Sequence, residues 1–185
     1  LDGLSCGVSS VCSVAFFSVG IISQNSSLML ISAVLFGSTL GFLPYNFNPA
    51  KIFMGDTGAM FLGYIFASAA VLGVYQTPTN ISMAVPFIIC GLPIFDTSFA
   101  FVRRIISGKS PFSADRGHLH HKLIDRGLTQ KQTVLFLYTV SILLSIFAIF
   151  ICLSRPLARI IITAAVIIAM ILLLILAGKR QEKSE

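Results

Sequence analysis

Residues 3–50 read GLSCGVSSVCSVAFFSVGIISQNSSLMLISAVLFGSTLGFLPYNFNPA and contain no Asp, Glu, Lys or Arg. One membrane-spanning helix needs only about 20 predominantly apolar residues, so this stretch is too long for a single span. The polar run at residues 24–27 divides it, which predicts spans near residues 4–23 and 28–44. The stretch therefore predicts a chain that crosses a membrane more than once.

The remainder of the chain repeats this pattern. A second uncharged stretch, residues 57–95, is divided by the polar run at residues 76–80. Because backbone groups in lipid must be hydrogen-bonded internally and no period-two alternation is present, the spans are expected to be helices. We predict an all-α, polytopic transmembrane helix bundle that forms one domain over residues 1–185, with about six spans, near 4–23, 28–44, 57–75, 81–102, 133–153 and 157–177.

The composition excludes several classes of protein. Hydrophobic residues make up 56% of the chain and charged residues 11%, whereas soluble domains carry about 25% charged residues. The net charge of +6 therefore indicates a membrane with anionic lipids or an anionic substrate rather than nucleic acid. The four cysteines lie in apolar runs without a CxxC pair, so neither a disulfide framework nor a cysteine zinc site is predicted.

The basic residues predict the orientation. With six spans both termini face one side, and that side carries eleven of the thirteen Lys and Arg residues; the other side carries Arg155 and Arg159. By the positive-inside rule, the termini and the loops at residues 44–56 and 103–131 are cytoplasmic. The chain begins Leu1-Asp2-Gly3-Leu4 without an initiator Met, and we expect it to be the C-terminal part of a longer protein.

The first candidate site is the loop at residues 44–56, which ends in Asp56 between Gly55 and Gly58. As a structural residue, Asp56 would cap a helix that begins at Thr57. As a functional residue, it would be an oxygen ligand for Mg²⁺ at the membrane edge. The two roles are compatible, and both stay open at this point.

The second candidate site is the loop at residues 103–131, which holds all three histidines, His118, His120 and His121. Together with Arg116, they suit recognition of a diphosphate. A basic loop on anionic headgroups and a zinc site are alternatives, although three histidines so spaced cannot all point one way on a regular helix. We also predict a short helix over residues 118–126 that ends at Gly127, and a capping box from Thr129 to Gln132.

Two further acids are ambiguous. Asp2 is expected to cap the first span. Asp96 lies within a predicted span, where an acid is a functional candidate by default. An ion pair with Arg103 or Arg104, or a hydrogen bond to Thr97 or Ser98, explains it equally well.

Together these segments resemble the polyprenyl-phosphate N-acetylhexosamine-1-phosphate transferases, the group that contains WecA, TagO and MraY. Residues 48–58, NPAKIFMGDTG, resemble the family's NPAxxFMGDxG loop, and residues 115–121, DRGHLHH, resemble the DRxHxHH loop of the WecA/TagO branch. The MraY branch carries three consecutive histidines, which this chain lacks. Residues 1–4 resemble the end of the NxxNxxDGxDGL motif, but the upstream DDxxD motif is absent, and we expect this chain alone to be inactive.

The resemblance implies a bacterial plasma-membrane enzyme that transfers N-acetylhexosamine 1-phosphate, GlcNAc-1-phosphate above all, from a UDP-sugar to undecaprenyl phosphate, with release of UMP. Mg²⁺ is the implied cofactor, with Mn²⁺ as an alternative, and a homodimer is compatible with the resemblance. The implied roles are a metal ligand for Asp56, a uridine site for Asp2, Asn46 and Phe53, and diphosphate binding for Arg104, Arg116, His118, His120 and His121. A transporter or channel subunit and a non-catalytic scaffold are the competing functions.

Overall fold

The computed structural model describes residues 1–75, 83–106, 108, 110 and 118–178. These residues form helices without any strand, which confirms the predicted all-α class. In chain order the helices are α1 (Leu4–Ile22), α2 (Ser26–Asn46), α3 (Gly55–Tyr75), α4 (Ala84–Ile89), α5 (Gly91–Ile106), α6 (Leu119–Asp125), α7 (Gln130–Leu153) and α8 (Pro156–Gly178).

Several helices are built to cross a membrane. In the part of the chain that the structure describes, α1, α2, α7 and residues 55–73 of α3 are long and apolar enough to do so. In α8, residues Leu157–Leu172 form a further apolar stretch. The molecule is therefore a polytopic membrane protein.

The predicted span over residues 81–102 contains two helices rather than one continuous helix. Helix α4 ends at Ile89, Cys90 forms a turn, and α5 begins at Gly91. Pro93 explains the break, since it has no N–H to donate to the carbonyl of Ile89 and its ring clashes with that carbonyl in a continuous helix. The thiol of Cys12 donates to the Ile89 carbonyl instead, at 3.2 Å. Residues 81 and 82 lie outside the described residues.

Helix α1 lies at the centre of the bundle and packs mainly against α2 and α7. Glycines on α1 allow this close approach. Gly7 faces the ring of Tyr138 on α7, and Gly20 faces Met29 on α2. Small residues serve the same purpose between membrane helices in general, because association there depends on packing rather than on water exclusion.

Local signals set the ends of the shorter elements correctly. The capping box predicted at Thr129 and Gln132 is confirmed at the start of α7. Helix α6 spans Leu119–Asp125, one residue shorter at each end than predicted, and Gly127 follows it in the left-handed region, with φ 92°. These elements place the histidine segment directly before a membrane-spanning helix.

Candidate active site

The start of the chain is hydrogen-bonded to the loop after α2. Asp2 Oδ2 accepts from Asn48 Nδ2 at 3.1 Å and from the backbone N–H of Ala50 at 3.2 Å. Asn46 Oδ1 accepts from the N–H of Gly3 at 3.2 Å. The predicted capping of α1 by Asp2 is wrong, because Gly3 occupies the cap position and the carboxylate of Asp2 is taken by the loop.

Further hydrogen bonds make this connection rigid. The buried Asn46 also donates from Nδ2 to the carbonyl of Ile52, at 2.9 Å. The hydroxyl of Tyr138, on α7, donates to the carbonyl of Gly3. Asn46 was predicted to line a uridine site; in the structure it also joins two segments that are distant in sequence. Sequence reasoning missed this positioning role because it depends on the tertiary packing.

Asp56 lies at the end of the same loop. Helix α3 begins at Gly55, which has a φ of 67°, so Asp56 is in the first turn rather than before it. The prediction that Asp56 caps a helix starting at Thr57 is therefore wrong. The carboxylate is exposed at the N-terminal end of α3, where the helix dipole favours negative charge.

Asp96, on α5, contacts the histidine segment. Its Oδ1 accepts from the backbone N–H of Leu119 at 2.8 Å, and its Oδ2 lies 3.1 Å from Nδ1 of His118. Both contacts are with the histidine segment. The partners expected from the sequence were residues on its own helix, namely Arg103, Arg104, Thr97 and Ser98. Asp96 is thus a site residue whose partner the sequence could not identify.

The three histidine rings lie side by side. The ring centroids of His118 and His120 are 5.8 Å apart and nearly parallel, and those of His120 and His121 are 4.2 Å apart. Three histidines with this spacing cannot all point one way on a regular helix, but the segment is not helical throughout. In the structure His118 precedes α6 in an extended conformation, with φ −63° and ψ 150°.

Burial and, as the next largest cause, the neighbouring His121 lower the pKa of His120 to about 4. Near neutral pH this imidazole is therefore uncharged, and it can offer a hydrogen bond but not a full positive charge. Within the described ranges, no three His, Cys, Asp or Glu side chains are grouped as metal ligands.

A cavity of about 390 Å³ lies between the histidine segment and α3, the helix that follows the loop ending in Asp56. His118, His120 and Asp96 line it, as does Ala59 of α3. Ala59 is three residues after Asp56, which corresponds to about 4.5 Å along the helix axis. The loop ending in Asp56 and the histidine segment are therefore at the same end of the bundle. Apolar side chains, among them Leu4, Val8 and Phe66, form the deeper wall.

Of the predicted site residues that the structure describes, only His118 and His120 line this cavity; Asp2, Asn46, Phe53, Asp56, Arg104 and His121 do not. Phe53 is 74% exposed and lines a separate apolar groove of about 630 Å³ between α2 and α3, not the cavity with the histidines. Arg104 is partly buried in the last turn of α5. Arg116 lies outside the described residues. The structure thus joins His118 and His120 to the Asp56 end of α3 and leaves Phe53 on a neighbouring surface.

The donor set at Asp56 fits one kind of metal site. Mg²⁺ is commonly held by one or two carboxylates together with substrate phosphates and water. A single exposed carboxylate on the first turn of α3 suits an ion that is shared with a bound phosphate. It does not suit an ion that is enclosed by protein ligands alone.

Comparison with known proteins gives consistent similarities. The sequence model described as glycosyl transferase family 4 matches residues 1–74. A Bacillus subtilis (strain 168) protein named "Probable undecaprenyl-phosphate N-acetylglucosaminyl 1-phosphate transferase" is 48% identical over 151 residues, which cover 80% of this chain and 42% of that protein. A decaprenyl-phosphate N-acetylglucosaminephosphotransferase of Mycobacterium leprae (strain TN) is 39% identical over 157 residues, 75% of this chain and 39% of that protein.

A phospho-N-acetylmuramoyl-pentapeptide-transferase of Thermoanaerobacter sp. (strain X514) is 34% identical over 158 residues, 83% of this chain and 46% of that protein. The chain spans 42% and 39% of the lengths of the first two relatives. The matched regions include the loop ending in Asp56, and the predicted resemblance is confirmed. This chain belongs to glycosyl transferase family 4, among the polyprenyl-phosphate N-acetylhexosamine-1-phosphate transferases.

Proposed function

We propose that this chain carries the site at which N-acetylhexosamine 1-phosphate, GlcNAc-1-phosphate above all, is transferred from a UDP-sugar to undecaprenyl phosphate. The single observation that carries the proposal is the shared cavity. His118 and His120 line it together with Ala59 of α3, the helix that carries Asp56 in its first turn. The names of the Bacillus and mycobacterial relatives support a polyprenyl phosphate as acceptor and N-acetylglucosamine as the sugar.

The reaction has a simple balance. A phosphate oxygen of the lipid attacks the β-phosphorus of the UDP-sugar, the bond from that phosphorus to the bridging oxygen breaks, and UMP leaves with the electron pair. Phosphoryl transfer of this kind depends on positioning and on neutralising the charge of the phosphate oxygens. Arg104, Arg116, His118, His120 and His121 are the proposed contacts for the diphosphate, and Asp2, Asn46 and Phe53 those for the uridine.

We further propose Mg²⁺, or Mn²⁺, as the cofactor, with Asp56 as its ligand from this chain. When bound, the ion would neutralise charge on the phosphates. The arrangement of the cavity also suits an acceptor that is anchored in lipid. Its histidines lie on the segment before α7, while the deeper wall belongs to apolar parts of membrane helices. On the charge distribution, the site faces the cytoplasm, where nucleotide sugars are available.

The test uses a chimera, because the chain corresponds to less than half of the relative. This chain replaces the matching part of the Bacillus subtilis protein, and release of UMP from UDP-GlcNAc is measured with undecaprenyl phosphate in detergent micelles. We expect lipid-linked GlcNAc diphosphate and UMP in equal amounts. An inactive but folded chimera, beside an active Bacillus protein, would reject the proposal.

Variants of the chimera separate the roles of the residues. Asp56→Asn is expected to lower turnover by at least about 100-fold, since it removes a charge that fixes the phosphates. Replacement of His118 by Gln is expected to lower turnover by about 100-fold or more. Asp125→Asn is the matched control, because this exposed acid ends α6 away from the cavity lining. Normal turnover of Asp56→Asn would exclude the metal role, and an effect of about twofold or less at His118 would favour a scaffold.

A further inference from the structure

Asp96 makes two hydrogen-bond contacts with one short segment, and each uses a different oxygen. Oδ1 accepts the Leu119 amide at 2.8 Å, and Oδ2 contacts Nδ1 of His118 at 3.1 Å. Both side chains are largely buried, with 23% of Asp96 and 27% of His118 exposed. Asp96 therefore holds the start of α6 and the His118 ring together from a different helix.

The contact at Oδ2 decides where the proton of His118 lies. A carboxylate can only accept hydrogen bonds, so the nitrogen that faces it must carry the hydrogen. A neutral imidazole has one N–H, and its other nitrogen is then an acceptor. A ring flip would place carbon next to Asp96 and lose the contact. The ring of His120, nearly parallel at 5.8 Å, packs beside His118 and favours a single orientation.

We propose that Asp96 is a positioning residue that fixes His118 in the Nδ1–H tautomer and leaves Nε2 as an acceptor towards the cavity. His118 and Asp96 both line that cavity, together with Leu1, Thr97 and His120. In the other tautomer the same ring would present a donor at Nε2. The choice of tautomer thus determines which kind of substrate atom His118 meets.

The chemical consequence rests on the proposed function. With Nε2 unprotonated, His118 can take the proton of a phosphate hydroxyl, which leaves a phosphate oxyanion, and the Asp96 carboxylate stabilises the imidazolium that forms. The charged ring then donates from Nε2 to a phosphate oxygen. In the other tautomer Nε2 already carries the proton, so His118 could donate from that nitrogen but could not accept a proton there. In a serine protease, the corresponding loss of an orienting aspartate lowers turnover by about 10⁴-fold.

The experiment reads the tautomer directly and needs no substrate. The full chain, labelled with ¹⁵N-histidine, is reconstituted into phospholipid bicelles at about pH 8.5, above the ordinary pKa of imidazole. The variant His120→Gln/His121→Gln leaves His118 as the only histidine and assigns its signals. We expect the proton on Nδ1 of His118. A proton on Nε2 in the unsubstituted chain would overturn the proposal, so a misfolded Asp96 variant would not leave it undecided.

Asp96→Asn tests whether the carboxylate is the cause. If the oxygen of the introduced Asn still accepts the hydrogen bond from the Leu119 amide, the NH₂ group of the Asn faces Nδ1 of His118. That NH₂ group donates, so Nδ1 must then be an acceptor. We therefore expect the His118 proton to move to Nε2. The matched control, Asp125→Asn, removes an acid from the end of α6, the helix that follows His118. It does not touch His118 and is expected to leave the proton on Nδ1. Retention of Nδ1–H in Asp96→Asn would show that Asp96 does not set the tautomer.

Kinetics of the chimera then connect the tautomer to turnover. Asp96→Asn is expected to lower kcat by about 100-fold or more with KM changed less than about threefold, since the ring stays in place with the wrong nitrogen protonated. An unchanged kcat would overturn the positioning role. The spectrum is recorded without substrate, so an incorrect tautomer would show in the spectrum. An incorrect transferase proposal would show only in the turnover of the chimera.

Discussion

The histidine segment shows how neighbouring residues of one type acquire different properties. His118 precedes α6 in an extended conformation and contacts a carboxylate, whereas His120 lies within the helix and is surrounded by other rings. Burial and the adjacent His121 lower the pKa of His120 to about 4. In the proposed site, His120 is therefore a neutral hydrogen-bonding group rather than a source of positive charge.

The lowered pKa of His120 predicts a pH dependence of stability. The unfolded chain binds a proton near the ordinary histidine pKa, about 6.5, but the folded chain does so only near pH 4. The unfolded state therefore binds more protons between these values, and the free energy of unfolding falls as the pH is lowered through this window. We expect His120 to contribute a decrease on the order of 1 kcal/mol, because partial exposure screens the charge.

This decrease can be measured by SDS titration of the chain in mixed micelles at several pH values from about 8 to 4. His120→Gln should flatten the profile between pH 6.5 and 4, whereas the matched variant Asp125→Asn should retain the slope in the upper part of that window. An identical slope in the unsubstituted chain and in His120→Gln would contradict the assignment.

At the scale of elements, the helices meet through small residues and through carbonyls that lack a helical partner. At the break between α4 and α5, Pro93 has no N–H to donate to the carbonyl of Ile89. The Cys12 thiol contacts this carbonyl instead. Gly7 on α1 lies directly against Tyr138 on α7. A Cβ at this position would lie 2.0 Å from Cζ and Oη of Tyr138.

We predict that Gly7→Ala destabilises the bundle. The added methyl group overlaps the Tyr138 ring, and overpacking of this kind typically costs about 1–3 kcal/mol. The control is Gly37→Ala on α2, where no atom lies within 4 Å of the new Cβ. There we expect no loss, and a gain of up to about 1 kcal/mol from helix propensity.

SDS titration of both variants compares the two sites. Combining Gly7→Ala with Tyr138→Ala should recover part of the loss, because the overlapping ring is removed. Equal stabilities of the Gly7 and Gly37 variants would show that α1 and α7 do not approach as closely as described.

At the scale of the whole molecule, the candidate site lies at one end of the bundle. The start of α1, the first turns of α3, the α5 residue Asp96 and the segment before α7 all line one cavity. The turn between α7 and α8, at Ser154 and Arg155, connects the far ends of those helices. The proposed function therefore requires the cavity end to face the cytoplasm and the α7–α8 turn to face the other side.

Cysteine labelling tests this orientation. The four native cysteines are replaced by alanine, and single cysteines are introduced as Ser110→Cys and Arg155→Cys, both at exposed positions. In intact bacterial spheroplasts, a membrane-impermeant maleimide is expected to label the cysteine at 155. The cysteine at 110 should react only after permeabilisation. The reverse pattern would place the cavity outside the cell and exclude a cytoplasmic nucleotide sugar as its substrate.

Much of the fold could be predicted because its causes are local. Charge-free stretches such as residues 3–50 indicate membrane helices without knowledge of their neighbours, and the capping box at Thr129 and Gln132 closes within three residues. The break at Cys90 also has a local signal in Pro93, which lies within the predicted span over residues 81–102. The residues proposed for the site were recognised by resemblance to a family motif.

The contacts that organise the site were decided only by the tertiary structure. Asp96 and His118 are 22 positions apart, and Asp2 and Asn48 are 46 apart. A carboxylate can accept from any donor that reaches it, so the sequence by itself left several partners equally acceptable for each acid. Packing of α1 against α2 and α7, and of α5 against the start of α6, brings one set of donors within about 3 Å and excludes the others.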